Sequence, residues 1–303
     1  MFLPDPSLRP LVISALILGL VVPGLNLVPV VIIPITLALV IFITGFRFSF
    51  SEFSQLSLRG LLLGYLARFF LFPIFVYLVL FQLSKSFAEA ALVVALMPTG
   101  VMAASFAALH QASVAATVIC LLISSALAPA VIPWAFVLLR VNEIQIPTQA
   151  VATTLLIVLV APLILGIIFK ATGVIPKSID DVGQVVIKYL IAVTCMCVIA
   201  QHRDQLFMNP LAAVLNVLGM VVLYFSLYLF PRLYAPLRKL PYLLRTCTIA
   251  SGYNNNILAV VVASLYFPQE IAVIVLTSIP AGIVVVACLD KLLPTNAIVE
   301  SSP

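Results

Sequence analysis

Uninterrupted apolar runs long enough to cross a bilayer recur ten times along the 303 residues, and this repetition constrains the chain more than any other feature. A tilted helix needs roughly 17–25 residues to cross ~30 Å of hydrocarbon. The runs lie near 9–24, 28–46, 58–83, 88–109, 113–139, 148–169, 184–200, 209–230, 245–266 and 269–289, with short connections between them. In hydrocarbon every backbone amide needs a partner inside the protein. Continuous rather than alternating apolar runs meet that need as helices, not as a barrel. Composition agrees, with 64% hydrophobic and 8% charged residues, where a soluble domain carries about 25% charged. The expected fold is an all-α integral membrane protein of about ten transmembrane helices, with the lipid bilayer as its solvent.

The few charges are placed unevenly. Counting loops alternately from the N-terminus, Arg9, Arg47, Arg59, Lys170, Lys177, Arg232, Arg238, Lys239, Arg245 and Lys291 fall on one side, against Lys85, Arg140 and Arg203 on the other. By the positive-inside rule the first side, with both termini, is cytoplasmic. The net charge of +5 is thus explained by orientation and does not point to nucleic acid. The opening residues lack a basic start and a cleavage site, so the first run is expected to be a mature span rather than a removed signal. The five cysteines, Cys120, Cys195, Cys197, Cys247 and Cys288, sit in apolar stretches with neither metal-ligand nor disulfide spacing and read as small hydrophobic residues.

The halves echo each other. Leu16-Ile17-Leu18-Gly19 in the first run recurs as Leu163-Ile164-Leu165-Gly166 in the sixth, five spans later. Thr99-Gly100 in the fourth run corresponds to Ser251-Gly252 in the ninth. A five-span unit repeated in tandem re-enters the membrane upside down, the plan of many secondary transporters. The expected units are 1–141 and 142–303, two inverted five-helix repeats in one membrane domain.

Within this pattern two runs are unlike ordinary spans. In the fourth, Pro98 removes a helix hydrogen bond and disfavours helix at Met97, while Gly100 allows the chain to turn. Either a kink or a true break satisfies those residues. In the ninth, Ser251, Gly252, Tyr253, Asn254, Asn255 and Asn256 interrupt an apolar stretch. Three successive asparagines fan over about 200° of an intact helix, so one amide would meet lipid or apolar packing. An unwound segment lining a polar cavity removes that conflict; amides bonded between helices are the alternative. Paired breaks in corresponding spans of two halves mark a substrate site where half-helix ends meet. Arg68, Thr99, Ser105, Tyr253, Asn254, Asn255 and Asn256 are its candidate substrate ligands, with Pro98, Gly100 and Gly252 as the breaking residues. Arg68 lies mid-span, where an unpaired charge costs several kcal/mol. It either binds an anionic group of the substrate or bonds helix-end carbonyls. Lys188 is near enough to the end of the seventh run to snorkel, and His110, Gln111 and Ser113 fall at the bend between the fourth and fifth. No nucleotide-binding glycine loop, metal-ligand spacing or nucleophile–base pair is present, so neither an enzyme nor a metal or cofactor site is expected. A passive channel or facilitator would share the same spans and is the rival class.

At these residues the sequence resembles the bile acid:sodium symporter family, of a superfamily that also holds arsenite efflux permeases. Pro98, Gly100, Ala128 and Pro129 match the spacing of that family's fourth and fifth helices. Gly252, Asn255, Leu258 and Ala259 match its ninth, with Asn254 where the family has glutamine, and the spacing of Arg68, Phe69 and Pro73 echoes its third. The resemblance implies a ten-helix fold with a panel and a core, two crossed broken helices, alternating access for a small solute such as an organic anion, and sodium coupling. The departures fall at the ion. Ala103 and Ala104 replace the family's Ser-Asn ligands and Ala250 its glutamate. Ser105, Thr117, Ser251 and Asn254 are the remaining candidate ion ligands, for sodium or for proton-linked transport.

Overall fold

The computed structural model describes residues 8–46, 59–139, 146–173, 178–234, 241–288 and 293. The expected repeat boundary at 141/142, the first seven and last ten residues, and Arg47, Arg140, Lys177, Arg238, Lys239 and Lys291 lie outside them. The helices are α1 (Leu8–Val21), α2 (Ile32–Gly45), α3 (Arg59–Phe81), α4 (Lys85–Leu96), α5 (Ala103–Leu109), α6 (Val114–Leu138), α7 (Thr148–Leu155), α8 (Ala161–Ala171), α9 (Ser178–Met208), α10 (Pro210–Leu229), α11 (Pro241–Gly252), α12 (Asn256–Tyr266), α13 (Gln269–Leu276) and α14 (Ser278–Ala287). Each expected apolar run therefore contains helix. Among the described residues, Leu62–Phe81, Val114–Leu138, Thr148–Ala171, Val182–Met208, Pro210–Leu233 and Gln269–Ala287 are long and apolar enough to cross a membrane. Pro10–Val21, Ile32–Gly45 and Asn256–Tyr266 are shorter apolar helices.

Helix ends differ from the expected runs where local chemistry intervenes. The seventh run, expected over 184–200, is the 31-residue α9, about 46 Å long and longer than the hydrocarbon is thick. Its polar extension is held because Gln201 Nε2–H donates to Val28 O (3.1 Å) and Arg203 Nη1–H to Val22 O (3.0 Å), fastening it to the α1–α2 connection. The sixth run passes through a π-helical turn at Leu156–Val160 just before Pro162, and the tenth divides at Thr277, ahead of Pro280. A proline cannot donate to the carbonyl four residues back, so the ladder reorganises just upstream of it.

In a bilayer, helices gain little from hydrophobicity against one another; close packing of small residues draws them together. α4 follows that rule, with Ala88, Ala90, Ala91 and Ala95 all fully buried between α3, α13 and the crossing described below. The repeated tetrapeptide has the same use in both halves. A Cβ at Gly19 on α1 would lie 2.6 Å from Met196 O on α9, and one at Gly166 on α8 would lie 2.1 Å from Phe42 O on α2. Both glycines are thus places where two helices touch backbone to backbone.

Candidate functional site

The fourth run is divided because Met97, preceding Pro98, takes an extended conformation (φ −65°, ψ 142°) as that proline requires, ending α4 at Leu96. Helix resumes at Ala103. The ninth run is divided without a proline. α11 ends at Gly252, and Asn255 (φ −80°, ψ 80°) turns its side chain back to accept from Leu258 N–H at 3.1 Å, capping α12.

The two interruptions meet. Thr99 and Asn254 pair as an antiparallel β-bridge; Gly100 N–H donates to Tyr253 O (2.6 Å) and Asn255 N–H to Pro98 O (2.9 Å). Backbone groups released by each break are satisfied by the other, the condition for non-helical chain in a membrane interior. Only glycine fits at Gly100, where a Cβ would come 2.9 Å from Asn254 O, and a Cβ at Gly252 would meet the Tyr228 ring at 2.4 Å.

Side chains of the bridged pair act reciprocally. Thr99 Oγ1–H donates to Ala250 O near the end of α11 (2.7 Å), and Asn254 Nδ2–H donates to Val94 O near the end of α4 (2.8 Å). Each bridge residue therefore satisfies a carbonyl at the C-terminal end of the half-helix from the other half of the chain. α3 covers both. Tyr65 Oη lies 2.6 Å from Thr99 Oγ1, and one turn later Arg68 Nη2–H donates to Asn254 Oδ1. Ser124 on α6 completes the shell by accepting from Thr99 N–H at 3.2 Å. Arg68 is 0% exposed, and its Nε and Nη1 have no hydrogen-bond partner among the described residues.

Beside the bridge a cavity of about 130 Å³ opens, comparable to an engineered protein cavity that admits benzene. Gly100 to Met102 and Phe106 line it from the first half and Gly252 to Ile257 from the second, with Tyr224, Tyr228 and aliphatic side chains of α1, α2, α9 and α14 as walls. Asn255 is 6% exposed and its Nδ2 has no partner among the described residues. Asn256 is held to neighbouring helices, accepting from Tyr224 Oη–H at Oδ1 and donating to Ser278 O at 3.4 Å.

Of the candidate substrate ligands, Tyr253, Asn254, Asn255 and Asn256 line the cavity together, whereas Thr99 lies in the bridge, Arg68 bonds it through Asn254, and neither they nor half-buried Ser105 are in the cavity wall. Three of the candidate ion ligands already have partners. Thr117 Oγ1–H donates to Ser113 O in its own helix (2.8 Å), Ser251 Oγ sits 3.7 Å from Cys247 Sγ, and both ends of the Asn254 amide are taken. Tyr65, Ser124, Tyr224 and Tyr228 were not singled out from sequence. Their signals were present, since Tyr65 precedes Arg68 by three residues and Tyr224 and Tyr228 are four apart, both spacings of one helix face. Glu89, in the fourth run, is also buried and interacts electrostatically with Tyr77.

The model of the Sodium Bile acid symporter family matches residues 34–230, from α2 to the end of α10, including the first break and stopping short of the second. No curated protein matches the chain.

Proposed function

Because the chain belongs to the Sodium Bile acid symporter family, and so is a multi-pass membrane transporter, we propose that it carries a small organic anion by alternating access, with the site in the cavity beside the Thr99–Asn254 bridge. The observation that carries this reading is the unpartnered Asn255 Nδ2 at the N-terminal end of α12. A donor amide and the positive end of an eleven-residue helix face one cavity, a setting suited to an anionic or acceptor-rich group. Its aliphatic and tyrosine walls suit an apolar body. Secondary transport is favoured over a passive pore because a bridge closed by direct backbone bonds must rearrange for a solute to pass.

Ten spans in two inverted repeats, 1–141 and 142–303, belong to the same proposal, with both termini cytoplasmic. Two pairs of contacts support it. Gly19 of the first span touches the seventh, and Gly166 of the sixth touches the second; Thr99 of the fourth satisfies the ninth, and Asn254 of the ninth satisfies the fourth. Exchanging the halves turns each contact into its partner. A C-terminal reporter active only in the cytoplasm should be active; silence there refutes the orientation.

The test of function is a thermal-shift screen of purified protein against organic anions and metalloid oxyanions, since a ligand of the native state raises apparent stability. Organic anions are the expected hits, followed by saturable uptake and counterflow in proteoliposomes. Flux without saturation or counterflow would instead make the protein a pore.

A further inference from the structure

α4 and α11 both end at the crossing, and the C-terminal end of a helix carries roughly half an elementary negative charge. The N-terminal ends of α5 and α12 border the cavity, whereas the two C-terminal ends are the ones tied to α3, and together they amount to about one negative charge, which needs a cation. Arg68 supplies it. Its guanidinium reaches the end of α4 through Asn254, whose amide passes the contact on to Val94 O. Tyr65, on the same face of α3, reaches the end of α11 through Thr99 and Ala250 O. Among the described residues Arg68 bonds to Asn254 and forms an ion pair with no carboxylate. Glu89, the buried acid of α4, interacts with Tyr77, nine residues further along α3 and so about 13 Å away along its axis. The charge that balances Arg68 is therefore the pair of helix ends. The guanidinium hydrogens on Nε and Nη1 find no partner among the described residues, and the side chain is fully buried.

We propose that Arg68 is a tethered cation which permanently fills the electrostatic role of a mobile coupling ion at the crossing, so that sodium has no binding role in this protein. The inference rests on reading the crossing as the transport site. It accounts together for the missing acid beside Arg68 and for the methyl groups at Ala103, Ala104 and Ala250. A free cation entering beside a guanidinium that has already neutralised the helix ends meets repulsion rather than attraction. The tether lets one cation serve both conformations of the cycle, with no ion taken up or released.

The experiment measures thermal unfolding of the full chain in detergent, in sodium, potassium or choline chloride at equal ionic strength, with or without 10 mM guanidinium as a probe. The unmodified protein should melt at the same temperature in all three salts. Arg68→Gln should melt lower and regain about 3 °C or more with guanidinium or sodium, as a vacated cation site refills. Arg68→Lys keeps the charge and should stay near the unmodified protein and indifferent to sodium. A sodium-specific rise in the unmodified protein overturns the proposal, as does an Arg68→Gln variant deaf to both cations. If Arg68→Gln does not fold, the lysine variant decides: stable and sodium-indifferent sustains the tethered cation, while an equally failed fold removes it. Because the readout is stability, a protein that proves not to transport would sink the proposed function without touching this result.

Discussion

The two interruptions reach one geometry by different chemistry. The first is stereochemical: Pro98 ends a helix by constraining its neighbour, Gly100 admits the partner strand, and, apart from Thr99, the segment offers its backbone. The second is a competition. No proline is present, and the asparagine side chains give backbone and neighbouring helices better partners than a continuous helix would. One segment is forced open and the other is drawn open, so the second bears the chemical groups while the first supplies a template for it. Substitutions on the two sides should therefore fail differently.

The largest effect should come from Asn254→Ala. It removes the hydrogen-bond partner of the buried Arg68 and uncovers Val94 O, and breaking a buried charge's contact costs about 3–5 kcal/mol. Unfolding in detergent should show a loss greater than for any other change at the crossing; a mild variant would mean that Arg68 is solvated by other means. Gly252→Ala comes next, at about 1–3 kcal/mol, because its new methyl would lie 2.4 Å from the Tyr228 ring. A variant as stable as the parent would show that the ring has room to swing. For Asn255→Ala the stability loss should be smaller, about 1 kcal/mol for one helix cap. Uptake of whichever anion the screen identifies should nonetheless fall at least about tenfold, since Nδ2 is a donor at the cavity with no partner among the described residues. Normal uptake would move the site elsewhere. Smallest of all is Pro98→Ala, at about 0.5 kcal/mol through the added freedom of the unfolded chain, because the bonds to Tyr253 and Asn255 remain to hold the segment. A structure of that variant with continuous helix from α4 into α5 would show that these bonds do not hold the segment open without the proline.

What sequence could supply followed from local rules. Apolar length located the helices, and Pro98, Gly100 and the asparagine run marked where regular structure is hard to sustain. The extra turns of α9 were missed because a helix leaving the hydrocarbon becomes polar, and only its bonds to the α1–α2 connection show why it continues. The division at Thr277 was missed because Pro280 in a long apolar run looks like a tolerated kink. At the site, the type of each residue was legible and its direction was not. Asn254, Asn255 and Asn256 are adjacent and polar, yet one bonds an arginine, one caps a helix and one ties two helices together. That assignment depends on Arg68 and Tyr224, which are 186 and 32 residues away along the chain. Arg68 itself reads equally well as a ligand or a structural bond, and its bond to Asn254 and its absence from the cavity wall come from partners far along the chain.

The separation of 186 residues between Arg68 and Asn254 also has a meaning in time. A ribosome adds about 5–20 residues per second, so roughly 10–40 s pass between the synthesis of the arginine and that of its partner. During that interval α3 must enter the membrane carrying a charge whose insertion costs about 2.5–3.5 kcal/mol, offset by the leucines and phenylalanines around it at about 0.3–0.6 kcal/mol each. The arginine is committed to the bilayer before anything exists to receive it. The ninth span, arriving late, closes the crossing and ends that exposure in a single step, so a chain cut short before Asn254 should be the form that cellular quality control recognises and removes.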